Sequence, residues 1–526
     1  MILYLIVISV VVAYIFHYLL SPLNYWRKQG VIQRNTWDAF IFNWFVLLKR
    51  QNVVHFIENM YKEFPSERYS GCYQFNSPAL VLRDPDLIKE ITIKKFDHFT
   101  DRRTYIPDDV DPLWGKNLFS LRGAHWRNMR STLSPAFTSS KMKGIFILME
   151  NCAENFVNHF MADDKQLIVL ETKDTFTRFC NDVIATTAFG VEVDSLKYPD
   201  NEFYAMGKRA TNFTSLKSMM KFLGYLVAPK LYRALKIKFF DDNVSNFFRT
   251  LIDETIALRE EQNVSRPDII QLLMEARNGV IRNEEDDKLD TGYATVEESI
   301  GGKIPMNITN EDITAQALVF FFAGFESLST LMCFTAYELA MNPDIQDKLR
   351  NEIRETSEKC KGKLTYDALV SMKYLDMVIS EVLRKWPSQA GAERICTKTC
   401  TIDPKTPEQP PLRLAEGDLL LIPTYGIHRD PKFYPNPDKF DPERFSEENK
   451  GRIQPYSYQP FGLGPRNCIG SRFALLEVKI LFFYVLSRFE FVAVERTAIP
   501  LVLDKRALIL AAEGGMWLGL KRLRSS

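Results

Sequence analysis

The sequence predicts a mainly α protein with small β-sheets, carried on an N-terminal transmembrane helix. Three observations predict it. Helical apolar periodicity recurs through the body, as in KMKGIFILMENCAENFVNHF (141–160), YELAMNPDIQDKLRNEIRET (337–356) and SRFALLEVKILFFYVLSRF (471–489). Strand-like pieces are short and few, around 71–82, 417–422 and 507–520, which suffices for small sheets only. The uncharged run ILYLIVISVVVAYIFHYLL (2–20) is about as long as the ~20 residues a helix needs to cross a bilayer.

The run at 2–20 lacks the basic start and small-residue cleavage site of a signal peptide, so it reads as an uncleaved anchor. Arg27, Lys28 and Arg34 follow it, which places the body on the cytosolic side. The expected division is an anchor over 1–22, a linker and the start of the folded domain over 23–60, and that domain over 61–526. Lysine plus arginine (67) nearly cancels aspartate plus glutamate (66), so no global basic field gathers nucleic acid, and none is expected as a partner. The eight cysteines are scattered and fit a reducing compartment. Cys396 and Cys400 have no second cysteine or histidine pair near them, which argues against zinc.

The stretch 278–305 carries EEDD and a Gly-Gly pair without a periodic apolar face, and reads as a mobile surface connection. After it, 309–342 reads as one helix about 50 Å long, starting at a capping box of Thr309 with Asp312 and stopping before Pro343. Residues 318–323 are apolar on every side, so this helix should pass through the interior. Gly324 sits at its midpoint despite costing about 1 kcal/mol relative to alanine, which implies that space is needed there.

Near the end stands FGLGPRNCIGSRFALLEVK (461–479). Gly462, Gly464 and Gly470 permit a tight loop around Cys468, and the helix that opens behind it favours the thiolate. Arg466, two residues earlier, could pair a carboxylate-bearing ligand while the sulfur binds a metal. The pattern F-x-x-G-x-R-x-C-x-G is complete in Phe461, Gly464, Arg466, Cys468 and Gly470.

On that motif the chain resembles the cytochrome P450 family of haem-thiolate monooxygenases, and the resemblance runs through nearly the whole chain. It implies the cytochrome P450 fold, haem b (iron protoporphyrin IX) as cofactor and Cys468 as the iron ligand, whose thiolate favours O–O cleavage. Phe461 and Arg466 then belong to the cofactor site. Trp126 and Arg130 match W-x-x-x-R and Arg394 matches a third arginine, all implied to meet haem propionates. Glu381 and Arg384 match E-x-x-R, joined by Arg444, as a structural triad. His428, in HRDP, is given no catalytic role beyond orienting its loop. RPDIIQLLMEA (266–276) is a packing landmark of the microsomal branch.

In AGFES (323–327), similar to A-G-x-[DE]-T, Glu326 is the implied acid and Ser327 the implied alcohol that deliver the protons oxygen activation consumes. Gly324 would then keep the oxygen site clear. Ser327 departs from the usual threonine and has more rotamer freedom, although it could instead bond back to a carbonyl one turn earlier. A proline-rich hinge common in the family is also missing, since no proline lies between Pro22 and Pro65. Family position gives apolar pocket walls around 100–122, 203–240, Phe320 and Phe321, 388–392 and 504–508.

The wording of the motifs most resembles microsomal insect detoxification members. This implies an endoplasmic reticulum membrane, electrons from NADPH-cytochrome P450 reductase with cytochrome b5 as an optional second donor, and lipophilic foreign compounds as substrates, such as plant toxins or insecticides. The segment 219–240, apolar and basic, could touch the membrane surface. Two alternatives stay open: a monooxygenase of one endogenous substrate (steroid, fatty acid or hormone precursor), and a haem protein that isomerises or binds ligands without a reductase.

Overall fold

The structure, a computed structural model, describes residues 21–35, 52–74, 77–212, 215–278, 293–295, 308–407, 410–505, 507 and 509–524. The apolar run at 2–20 and most of the connection at 278–305 lie outside the described residues. Within that connection, Tyr293 is packed and not loose. Its N–H donates to Asp376 at 2.9 Å and its ring meets Phe445 and Tyr458.

Nine strands are described: β1 Tyr69–Gln74, β2 Ser77–Leu82, β3 Leu167–Glu171, β4 Ala392–Ile395, β5 Cys400–Ile402, β6 Leu412–Leu414, β7 Leu419–Ile422, β8 Phe489–Val492 and β9 Trp517–Arg522. They form a four-stranded sheet (β1-β2-β7-β4), a three-stranded sheet (β3-β9-β8) and a two-stranded one. Only β2 and β7 pair in parallel. Helices make up the rest of the core, as the periodicity predicts.

Helices of the body include α1 Gly123–Leu133, α2 Ser139–Met161, α3 Thr172–Ile184, α4 Leu216–Val227, α5 Asn310–Met341, α6 Lys373–Lys385, α7 Thr424–His428 and α8 Ser471–Leu486. The capping box of α5 is formed: Thr309 accepts from the Asp312 N–H, and Asp312 accepts from the Thr309 N–H at 2.9 Å. The helix is long and apolar enough to cross a membrane, yet here it is the buried central rod, packed by α3, α6 and α8. The sequence stretch 337–356 is two helices, because Pro343 forces a break at Asn342.

Residues 21–35 dock on the four-stranded sheet. Trp26 is fully buried against Gly71, where a Cβ would fall 2.6 Å from the Trp26 side chain. The Gly71 N–H donates to Ile32 O at 2.8 Å, and Tyr25 donates its hydroxyl to Asp418 at 2.7 Å. Gln33 accepts from the Tyr73 hydroxyl at 2.6 Å and donates to Leu23 O at 2.8 Å. Side-chain packing and hydrogen bonds therefore hold residues 21–35 to the sheet.

Candidate active site

Cys468 sits in the loop before α8, and the loop geometry depends on glycine. Gly462 and Gly464 have φ of +77° and +70°, in the left-handed region. A Cβ on Gly464 would lie 1.9 Å from Thr92 O, so the loop closes on that strand of backbone only without a side chain. The Cys468 N–H donates to Phe461 O at 2.8 Å, and Asn467 N–H to Gly464 O at 2.9 Å. These bonds fold the loop back on itself and leave Cys468 exposed on the wall of a cavity.

That cavity is about 270 Å³ and mostly apolar, with Ala323, Gly324 and Phe320 of α5 on one side and Phe461, Ile469 and Phe473 on the other. Four arginines reach its edge: Arg102, Arg130, Arg394 and Arg466. Arg130 is buried and donates to Asn467 O at 3.0 Å and to Asn467 Oδ1 at 2.6 Å. Arg394 donates to Glu393 O and, at 3.4 Å, to Leu463 O. Arg466 donates to Thr100 O and Leu121 O at 2.7 Å each, and its guanidinium lies 3.9 Å from the centre of the Trp126 ring. Most of their partners are neutral carbonyls; Asp101, 3.5 Å from Arg466, is the carboxylate at hand.

The charges repel. Burial, then the neighbouring Arg102 and Arg394, pulls Arg466 down to about 8. Burial, then Arg102, pulls Arg394 down to about 9. Burial lowers Arg102 to about 10 against the opposing pull of Cys468. A ligand with two carboxylates would relieve this crowding by charge-assisted hydrogen bonds. An iron-bound, flat, apolar group with two propionates matches the whole donor set: sulfur, apolar walls and clustered guanidiniums. The residues present fit haem, and Trp126, Arg130, Arg394, Phe461, Arg466 and Cys468 come together as the motifs imply. Arg102 was missed by sequence reasoning, because DRRTY has no spacing signal that separates an inward arginine from a surface one.

On α5 the two implied proton donors part company. Ser327 borders the cavity, and its hydroxyl donates to Ala323 O, the bond one turn back that the sequence left open. Glu326 does not border it. Its carboxylate takes the Lys173 ammonium of α3 at 2.9 Å, and the same ammonium reaches Glu326 O, Ser329 Oγ and Thr330 Oγ1 at 3.2, 2.7 and 3.1 Å. Gly324 also has a different neighbour from the one expected: a Cβ there would meet Ile184 Cδ1 of α3 at 2.5 Å, so a side chain at 324 would have to displace the end of Ile184 where the two helices pack.

Glu381 and Arg384 are fully buried and form a two-bond pair at 2.7 and 2.9 Å. Arg384 also donates to His428 O at 2.9 Å and Pro437 O at 2.8 Å, and Arg444 reaches Glu381 at 3.4 Å. His428 is buried, and burial followed by Arg384 lowers its pKa to about 3, so the ring is neutral. Its Nε2 accepts from the Gln459 N–H at 2.9 Å, two residues before Phe461. The triad thus supports the cysteine loop from behind through His428 and lies outside the cavity lining.

The family model described as cytochrome P450 matches residues 34–518. The chain is 45% identical over 493 residues to cytochrome P450 9e2 of Blattella germanica, covering 90% of each chain. It is 44% identical over 485 residues to the probable cytochrome P450 9f2 of Drosophila melanogaster, again covering 90% of each. Cytochrome P450 6k1 of Blattella germanica is 35% identical over 521 residues, 97% of this chain and 95% of that one. With a cysteine facing an apolar cavity edged by guanidiniums, and such matches over nearly its full length, the chain belongs to the cytochrome P450 family of haem-binding monooxygenases.

Proposed function

We propose that this monooxygenase oxidises lipophilic foreign compounds at the endoplasmic reticulum membrane, using electrons from NADPH through a separate reductase. The observation that carries the reading is the exposed Cys468 on a mostly apolar cavity that four arginines also line. The haem, when bound through that thiolate, supplies the oxygen activation. What the chain supplies is placement. Arg102, Arg130, Arg394 and Arg466 would hold the carboxylates of that group, and the apolar walls desolvate and orient a substrate.

Protons come from residues on α5. Ser327 is on the cavity side, and its hydrogen is committed to Ala323 O until the hydroxyl rotates. Glu326 is turned toward α3, held by Lys173, and must leave that ammonium and take up a proton before it can pass one inward. Membrane contact has support in Leu231 and Leu235, which are 55% and 62% exposed, beside the basic Lys230, Arg233 and Lys236. Similarity to insect members supports the substrate class.

The test is the carbon monoxide difference spectrum of the reduced protein, followed by turnover in membranes with added reductase. A far-red Soret band, lost in Cys468→Ala together with NADPH-dependent product, is the expected result. A holoprotein without that band, or product formation that survives Cys468→Ala, overturns the reading. Turnover of many unrelated lipophiles supports foreign compounds; one endogenous substrate alone refutes that part.

A further inference from the structure

Residues 293–295 dock on the body through a backbone bond and an aromatic ring. The Tyr293 N–H donates to Asp376 Oδ2 of α6 at 2.9 Å, and Ala294 beside it is buried in the main core. The Tyr293 ring stands edge-on to Phe445 with centroids 5.1 Å apart and tilts over Tyr458 at 5.4 Å. None of these side chains lines the cavity.

Two routes lead from Tyr293 to the chain on either side of Cys468. On the first, Tyr458 packs against Phe445 at 5.0 Å, donates its hydroxyl to Ser380 O at 3.0 Å, and stacks on the His428 ring at 5.5 Å with 14° between the planes. His428 Nε2 accepts from the Gln459 N–H at 2.9 Å, and Gln459 O accepts from the Gly462 N–H at 3.1 Å, inside the cysteine loop. On the second, the Asp376 carboxylate that takes the Tyr293 N–H also takes the Lys479 ammonium at 2.9 Å, and Lys479 is buried on α8, the helix that opens behind Cys468. The Gln459 N–H and His428 are both buried, so a tilt of the imidazole leaves a buried donor without its acceptor, which is costly.

We infer that Tyr293 is a positioning residue for Cys468: its ring closes an aromatic brace, Tyr293–Tyr458–His428, that holds the cysteine loop from the side away from the cavity. Without that ring, Tyr458 gains room to tilt and His428, stacked on it, follows. The inference goes beyond the proposed substrate class and does not depend on it. It gives one residue of the 278–305 connection a duty toward the iron ligand that the sequence reading did not assign.

The experiment uses the haem-loaded full chain with Tyr293→Ala, Tyr293→Leu and Tyr293→Phe. Two quantities are read: hydrogen exchange of the peptide covering 455–470, which holds the Gln459 and Cys468 N–H groups, and the persistence of the far-red carbon monoxide band of the reduced protein in mild urea. In Tyr293→Ala and Tyr293→Leu the exchange and the loss of the band should both quicken about two- to tenfold, the weight of one edge-on ring pair. Tyr293→Phe, which keeps the ring, should match the unmodified protein, and exchange in α2 should be the same in all. If Tyr293→Ala does not load haem, Tyr293→Leu against Tyr293→Phe decides. A lower unfolding temperature with both readouts unchanged would show a surface cover only and overturn the inference. So would quickening shared by α2, or a Tyr293→Phe as fast as Tyr293→Leu.

Discussion

Four guanidiniums within one cavity edge have a consequence for single residues. Each is held largely by carbonyls that fix its position, with Asp101 beside Arg466 as a carboxylate partner, so the crowded cations give the site affinity for further carboxylates. The same scale separates Ser327 from Glu326. Ser327→Ala should leave haem binding intact and raise hydrogen peroxide released per NADPH consumed; unchanged coupling would exclude this hydroxyl from proton delivery. Lys173→Met should free Glu326 from its ion pair and change the pH profile of turnover, with Lys173→Arg restoring it. Motif matching found Glu326 as a residue type at the right spacing. It could not find Lys173, 153 positions away in sequence, since that pairing exists only once α3 lies against α5.

Among the elements, the cysteine loop and α6 carry the most instructive contrast. The loop was legible because its glycines have no alternative: Gly464→Ala would need a left-handed backbone and a Cβ 1.9 Å from Thr92 O. That variant should lose haem on purification and unfold at lower temperature than the unmodified chain, a deficit of at least about 1 to 2 kcal/mol from the backbone alone. In α6, spacing alone describes an ordinary i, i+3 surface pair worth about 0.2 to 0.5 kcal/mol. Burial changes its weight: Glu381→Ala leaves the Arg384 cation without its carboxylate and should cost about 3 to 5 kcal/mol, measured by denaturant unfolding. Burial is a property of the packed elements, so no local spacing announces it.

At the scale of the whole molecule, buried groups such as His428, Asp182 and Glu477 make stability depend on pH. His428 is lowered from 6.5 to about 3, so the unfolded chain binds the extra proton and stability falls as pH drops from about 6.5 toward 3. Asp182 and Glu477 run the other way: burial raises them from 3.8 to about 7 and from 4.5 to about 8. Their folded forms keep the proton longer, so stability from these groups falls as pH rises through those intervals. Thermal unfolding should therefore show a declining limb between pH 6.5 and 8, which Glu477→Gln flattens; an unchanged slope would show that Glu477 ionises freely in the fold.

The seating of Trp26 against Gly71 couples residues 21–35 mechanically to the body. With the indole wedged under β1 and Tyr25 latched to Asp418, this segment is a handle: a turn imposed at residue 21 turns the sheet, and the cavity with it, as one piece.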